Sequence, residues 1–151
     1  MWHRLMASLV LALVSCCAFG CEATGPRFRE VVTVPEKATI YVYRQSGYQG
    51  SAVTLQMEVD KQKIGDLRPN GYVYSVVAPG SHMVSCSTES ESAVEVIAKG
   101  GQSYYIEGDI VMGFWVGRPQ LRMVAADLGR GNIGGKFYCG PEAGAPAPAA
   151  K

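Results

Sequence analysis

The chain is short of the residues that carry most enzyme chemistry. It has two histidines in 151 residues, and one of them, His3, falls within the first four positions. No HExxH, GxSxG or paired-cysteine spacing occurs, and no GxGxxG sits between a strand pattern and a helix pattern. Zinc-peptidase, serine-hydrolase, zinc-finger and dinucleotide-binding readings therefore lack their residues. Surplus charge is missing as well, with 14 Lys and Arg against 13 Asp and Glu. Nucleic-acid binding rests on clustered cations meeting phosphates, so that partner is excluded. No apolar run approaches the roughly 20 residues a bilayer-spanning helix needs.

The longest apolar run stands at the start. Arg4 precedes Leu5–Val14 (LMASLVLALV), and no acid appears before Glu22. A basic start, a short apolar core and small residues before a cut site are the parts of a secretory signal. A cysteine directly after such small residues resembles the bacterial lipobox. That motif directs a diacylglycerol to the sulfur, cleavage before the cysteine, and usually acylation of the new terminus. Leu13-Val14-Ser15-Cys16 has the better aliphatic residue three places before the cysteine, whereas Ala18-Phe19-Gly20-Cys21 leaves a signal of more ordinary length. Cys21 is the expected acylation site and Cys16 the alternative. Removing residues 1–20 takes Arg4 away and leaves 13 cations against 13 acids. Lipid rather than charge must then hold the chain to a membrane, and two or more acyl chains do so stably. Asp after the lipidated cysteine favours inner-membrane retention. Glu22 stands there instead, so the outer membrane, facing the periplasm, is expected.

The body reads as strands. ATIYVYR (38–44) alternates Ile40 and Val42 with Tyr41 and Tyr43, and AVTLQMEV (52–59) sets Val53, Leu55, Met57 and Val59 on one face. Such alternation marks strands with one packed side and one wet side. Further strands are expected at KIGDL (63–67), YVYSVVA (72–78), HMVSCS (82–87), AVEVIA (93–98), SYYIEG (103–108) and PQLRMVAA (119–126), punctuated by Pro69-Asn70-Gly71, Pro79-Gly80 and Lys99-Gly100-Gly101. The expected fold is all-β, a small antiparallel β-sandwich of seven to eight strands behind a cleaved signal helix. No amphipathic helix is predicted in the mature chain. The expected organisation is a signal over 1–20, a tether over 21–36, the sandwich over 37–127, and a Gly-rich then Ala/Pro-rich tail over 128–151.

Cys21-x-Ala23-Thr24-Gly25-Pro26, ATIYVYR, IGDL…NGYVY (64–74), PGSH (79–82), Gly101-x-x-Tyr104-Tyr105 and MGFWVGRP (112–119) stand in fixed order along nearly the whole mature chain. In that order they resemble the DUF2846 family of bacterial envelope lipoproteins. The resemblance implies a compact β-rich domain with a Pro-Gly-x-His turn, and acylation at Cys21. It implies no activity. Lys61-Gln62 departs from the pattern, since family members often carry Gly there, and this leaves the type of that turn open.

Few residues invite a functional role. His82 follows Pro79-Gly80 at the start of a strand and reads as a histidine packing a turn. Glu107 and Asp109 share a strand face, as paired carboxylates do in glycosidases, but nothing visible separates their pKa values. With Cys21 acylated, the thiols left are Cys86 and Cys139. In an oxidising compartment a bridge between them is expected, closing about 50 residues and contributing about 4 kcal/mol by loop entropy. Burial of Cys86 in its strand without a bridge is the alternative. In MGFWVGRP, large apolar side chains lie between glycines, and Phe114, Trp115 and Arg118 form a candidate contact for a partner. The alternative there is that Phe114 and Val116 close the sandwich end. No metal or cofactor is expected. The function expected is a non-catalytic binding or structural module of the envelope, held by its lipid and meeting an envelope protein or a glycan. The competing reading is a membrane-tethered enzyme acting on a cell-wall or glycan substrate.

Overall fold

A computed structural model of the chain describes residues 22–47, 50–112 and 117–141. Among the described residues nine strands and one helix follow in the order β1 (Ala38–Tyr43), β2 (Leu55–Val59), β3 (Gln62–Leu67), β4 (Gly71–Val77), β5 (Gly80–Ser87), β6 (Glu91–Ala98), β7 (Ser103–Met112), β8 (Gly117–Val124), α1 (Ala126–Ile133) and β9 (Phe137–Tyr138). They form two sheets, β8-β7-β1-β4-β9 and β3-β2-β5-β6. The fold is all-β, as the alternation predicts.

The space between the sheets is filled by the expected inward rows. Ile40 and Val42 of β1, Leu55, Met57 and Val59 of β2, and Val84 and Cys86 of β5 are all buried in one cluster. Val53 departs from its row: it lies before β2 begins and stays 37% exposed.

The sheets are not wholly antiparallel. β1 runs parallel to β7, Thr39 opposite Ser103 through Tyr43 opposite Glu107, and β4 runs parallel to β9. The reason is the path of the chain. After β4 it crosses to the second sheet, makes the β5–β6 hairpin there, and returns to the end from which β1 also starts. β7 can then only run the way β1 runs.

The outer side of β1 is not wet. Every β1 residue is buried. Tyr41 and Tyr43 join Tyr72, Tyr105, Tyr138 and Ile133 in a second core on the far side of the five-stranded sheet. Tyr41 stacks on Tyr105 with ring centroids 5.3 Å apart, and Phe28 meets Tyr41 and Tyr72 edge-on at 5.5 and 5.2 Å. Each such pair contributes about 0.5–1.5 kcal/mol beyond the area it buries.

Two segments cover this face, and both correct the expected boundaries. Residues 22–36 are a strap, not a free tether. Ala23 N–H donates to Pro69 O at 3.1 Å and Phe28 N–H to Lys136 O at 2.8 Å. The Tyr41 hydroxyl accepts the Val31 N–H at 2.8 Å. Residues 128–138, expected as tail, supply most of α1 and all of β9. α1 lies against the tyrosines through Gly129 and Ile133, its two buried residues. The remainder of the tail call, 142–151, lies outside the described residues, as does the signal call over 1–20.

The two ends of the sandwich carry different segments. One end gathers Ala23, the Arg68–Asn70 turn, the loop leading from Arg44 to β2, and the outer halves of β7 and β8. The opposite end gathers the Asp60-Lys61 turn, Ala78–Gly80, and Lys99–Gln102.

Candidate functional site

On the tyrosine face a cleft opens between the strap and α1. β8 ends at Val124, and Ala125 opens the helix without a side-chain cap, so Asp127 in the first turn is the acid that complements the helix dipole. Gly129 lets the helix sit against the Tyr105 ring: a Cβ there would lie 2.3 Å from Tyr105 Cβ. The strap crosses opposite. Between them opens a cleft of about 490 Å³ whose lining includes Glu30, Val32, Thr33, Gln102, Tyr105 and Arg130. Arg130 Nη2 donates to Glu30 Oε1 at 2.8 Å across it, and both side chains remain exposed. The buried Tyr105 hydroxyl lies beside the guanidinium without a well-aligned hydrogen bond. That hydroxyl and then Glu30 hold Arg130 in its charged form. Val32, 88% exposed, marks the rim. The cleft thus offers one cation, one anion and an apolar rim, which suits a polar ligand of mixed character better than a single strong charge.

Two buried cations stand beyond this cleft, and both serve the fold. Arg44 is 1% exposed, and its guanidinium donates to Val53 O at 2.6 Å and Gly50 O at 2.8 Å, fastening the loop before β2. Lost hydration pulls its pKa down and the charge of Asp109 opposes that. Lys136 donates to Gln45 Oε1 at 2.7 Å, and burial likewise lowers its pKa.

His82 has the turn role its position predicts. Its Nδ1 meets Asp60 Oδ2 at 2.6 Å and its Nε2 meets Ala78 O at 2.8 Å. Carboxylate and carbonyl are both acceptors, so the imidazolium, with two N–H donors, satisfies both. The bond to Asp60 raises the His82 pKa, and the bond from His82 lowers that of Asp60. The Asp60-Lys61 turn has φ of 51° and 67°. Two positive values in a two-residue hairpin make it the primed kind that normally asks for Asn-Gly. Asp60 holds it without glycine, because Oδ1 also accepts the Met83 N–H at 2.9 Å.

Glu107 and Asp109 do not join His82. Glu107 pairs with Arg122 across β7 and β8, and Asp109 Oδ1 accepts the N–H of its neighbour Ile110 at 2.7 Å. Among the described residues no three His, Cys, Asp or Glu side chains gather to hold a metal. Gly129 to Gly134 spells GxGxxG, but it begins inside α1 rather than in a strand-to-helix turn, so it cradles nothing.

The expected bridge between Cys86 and Cys139 is not formed: both are free thiols. Cys86 sits within β5 facing the core, whereas Cys139 follows β9 on the other sheet. Its sulfur fills the space over Gly71, where a Cβ would approach it to 2.3 Å. Burial pushes the Cys86 thiol up to about 11 and raises that of Cys139. Neither is a thiolate nucleophile near neutral pH. Arg118 is exposed at the start of β8, opposite Val111. Cys16, Cys21, Phe114 and Trp115 lie outside the described residues.

Sequence reasoning missed Glu30 and Arg130 because they stand in the segments read as tether and tail. Arg44 carried a faint signal, a cation closing an otherwise apolar strand run.

Two facing sheets, a tyrosine core under a strap and helix, and a cleft between those covers define a small β-sandwich domain. Residues 35–118 match the family described as protein of unknown function (DUF2846), and the chain belongs to it. A Haemophilus influenzae (strain ATCC 51907 / DSM 11121 / KW20 / Rd) protein described as "Uncharacterized protein" is 29% identical over 110 residues, 71% of this chain and 62% of that relative. The chain therefore matches less than two thirds of that relative's length. No solved structure matches it.

Proposed function

We propose that the protein is a non-catalytic binding module of the bacterial envelope, anchored by lipid on Cys21 at the outer membrane and facing the periplasm. What carries this reading is where the fold starts. Ala23 is already 7% exposed and bonded to Pro69, so the packed domain begins two residues after Cys21. A cut before Cys21 leaves Glu22 alone ahead of that packed start, whereas a cut before Cys16 leaves six residues there. Among the described residues no helix is long and apolar enough to cross a membrane, so attachment falls to the acyl groups.

The binding role rests on the cleft. His82, Glu107 and Asp109, the groups with acid–base capacity, are each engaged in a contact that holds a turn or a strand pair. Glu30 and Arg130 instead form an exposed ion pair on the wall of an open cleft, where an envelope protein or a glycan can exchange with it. Mass spectrometry of the membrane-extracted N-terminal peptide tests the anchor: the expected species is an acylated cysteine directly before Glu22, and an unmodified secreted chain refutes it. Cross-linking in cells followed by purification tests the cleft. Glu30→Ala with Arg130→Ala should abolish the cross-linked species while leaving the urea midpoint nearly unchanged, as is usual for surface positions.

A further inference from the structure

We infer that the end of the sandwich bearing Ala23, the Arg68–Asn70 turn and the outer halves of β7 and β8 rests on the bilayer surface, and that the Glu30–Arg130 cleft is held at the opposite, periplasmic end. This rests on acylation at Cys21. The argument is one of lengths. One residue, Glu22, separates Cys21 from Ala23, so two Cα–Cα steps give a reach of at most about 7 Å. The six residues of β1 separate the two ends of the sandwich, about 20 Å at the usual rise per strand residue. A leash that short, tied at one end, does not let the domain turn over.

The placement of Ala23 fixes which end that is. Its N–H is bonded to Pro69 O, and Gly25 lies so close to Tyr138 O that a Cβ would come within 2.1 Å of it. The start of the strap is clamped on both sides and cannot lengthen the leash by peeling away cheaply. On the same end, across β4 and β1 in the sheet order, β7 continues past Glu107, the partner of Tyr43, as far as Met112, and β8 begins at Gly117 opposite it. The β7–β8 pair thus runs on past the end of β1. Val111, 50% exposed, and Val53, 37% exposed, are apolar there. Arg68 and Arg118 are exposed and long enough to reach lipid phosphates with their stems on the apolar surface. Charge does not choose this end, because Glu89, Glu91 and Asp109 are exposed on it too. The leash chooses it. At the far end lie Gly101, Gln102 and Ser103, which form the cleft wall.

Tryptophan quenching by headgroup nitroxide lipids tests the orientation on the full acylated protein in vesicles. In a Trp115→Phe background, Arg68→Trp should be quenched several-fold more strongly than Lys99→Trp at the opposite end. If Arg68→Trp folds poorly, Arg118→Trp reads the same face. Equal quenching, or stronger quenching of Lys99→Trp, overturns the orientation even when mass spectrometry finds the acyl group on Cys21. An acyl group on Cys16 lengthens the leash to about 24 Å and removes the constraint, which also overturns it. An unmodified chain overturns the anchor itself, and the two failures are told apart by the same mass spectrum.

Discussion

Gly129→Ala should destabilise the protein although it improves the helix. In the interior of an exposed helix, replacing Gly by Ala gains up to about 1 kcal/mol, because glycine loses more backbone freedom on folding. At Gly129 the new Cβ would lie 2.3 Å from Tyr105 Cβ and 2.5 Å from its Cγ. Ordinary carbon contacts stand near 3.5–4.0 Å, so more than about 1 Å must open. The atoms struck are the base of a side chain buried in the tyrosine core, which has no slack to swing aside. Overpacking costs about 1–3 kcal/mol, a clash this close with the base of a buried side chain belongs at the upper end, about 2–3, and the net expected loss after the propensity gain is about 1–2 kcal/mol. Gly131, two residues on, is the internal control: nothing lies within 4 Å of its added Cβ. Gly131→Ala should therefore keep the propensity gain and raise the urea midpoint. Equilibrium urea melts of the two variants beside the parent decide it. A Gly129→Ala protein as stable as the parent would mean that α1 does not pack on Tyr105, and the account of the second core would fall.

The Asp60–His82 pair should make stability depend on pH. His82 has a raised pKa, so its contribution is full below about 6.5 and is lost as pH rises through the folded value; Asp60 has a lowered pKa, so its share is present above about 3.9 and lost as pH falls. Asp60 is 48% exposed, which limits the effect to about 1 kcal/mol, and His82→Gln should flatten the decline of melting temperature between pH 6 and 8. Arg44→Met should cost about 2–3 kcal/mol, because Val53 O loses its buried donor, and the loop before β2 should become the first site of proteolytic cleavage. Arg44→Lys should recover little of it, since one ammonium does not span both carbonyls in the guanidinium geometry. Thiol titration of denatured, unreduced protein should find Cys86 and Cys139 both reactive, with Cys86 protected until unfolding; no reactive thiol at either would restore the bridge.

What the sequence revealed follows from how many faces each element buries. β2 was legible because one side of it is wet: Leu55, Met57 and Val59 alternate with polar neighbours. β1 alternates just as cleanly, aliphatic against tyrosine, and the tyrosine side is equally buried. A tyrosine row looks the same at a water boundary and in a core roofed by other segments, and half of the roof, α1 and β9, comes from residues more than 80 positions downstream. α1 was hidden by its own composition, since Gly129 and Gly131 each lower helix propensity and here one of them serves packing. The parallel pairing of β1 with β7 left no local trace, because it depends on where the β5–β6 excursion re-enters. Of the cleft, Tyr105 was visible as part of a strand. Glu30 and Arg130 are 100 residues apart and meet only through tertiary structure. His82 was read correctly as a turn residue because Pro79-Gly80 beside it fixes that context locally.

The meeting of Phe28 with Lys136, and of Arg27 with Phe137, orders folding in time. A contact that spans more than a hundred residues closes late, because its loop entropy must be met before it is rewarded. A chain that leaves a ribosome or a translocation pore from its amino end has the strap outside long before β9 arrives. Until residues 136–138 emerge, the Phe28 N–H lacks its partner and the strap has only its bonds to Pro69 and Tyr41. During that interval residues 22–36 are less firmly held than in the finished domain. Once β9 pairs with β4, the strap is clamped. Clamping of the strap thus waits for completion of the domain, with β9 acting as the timer.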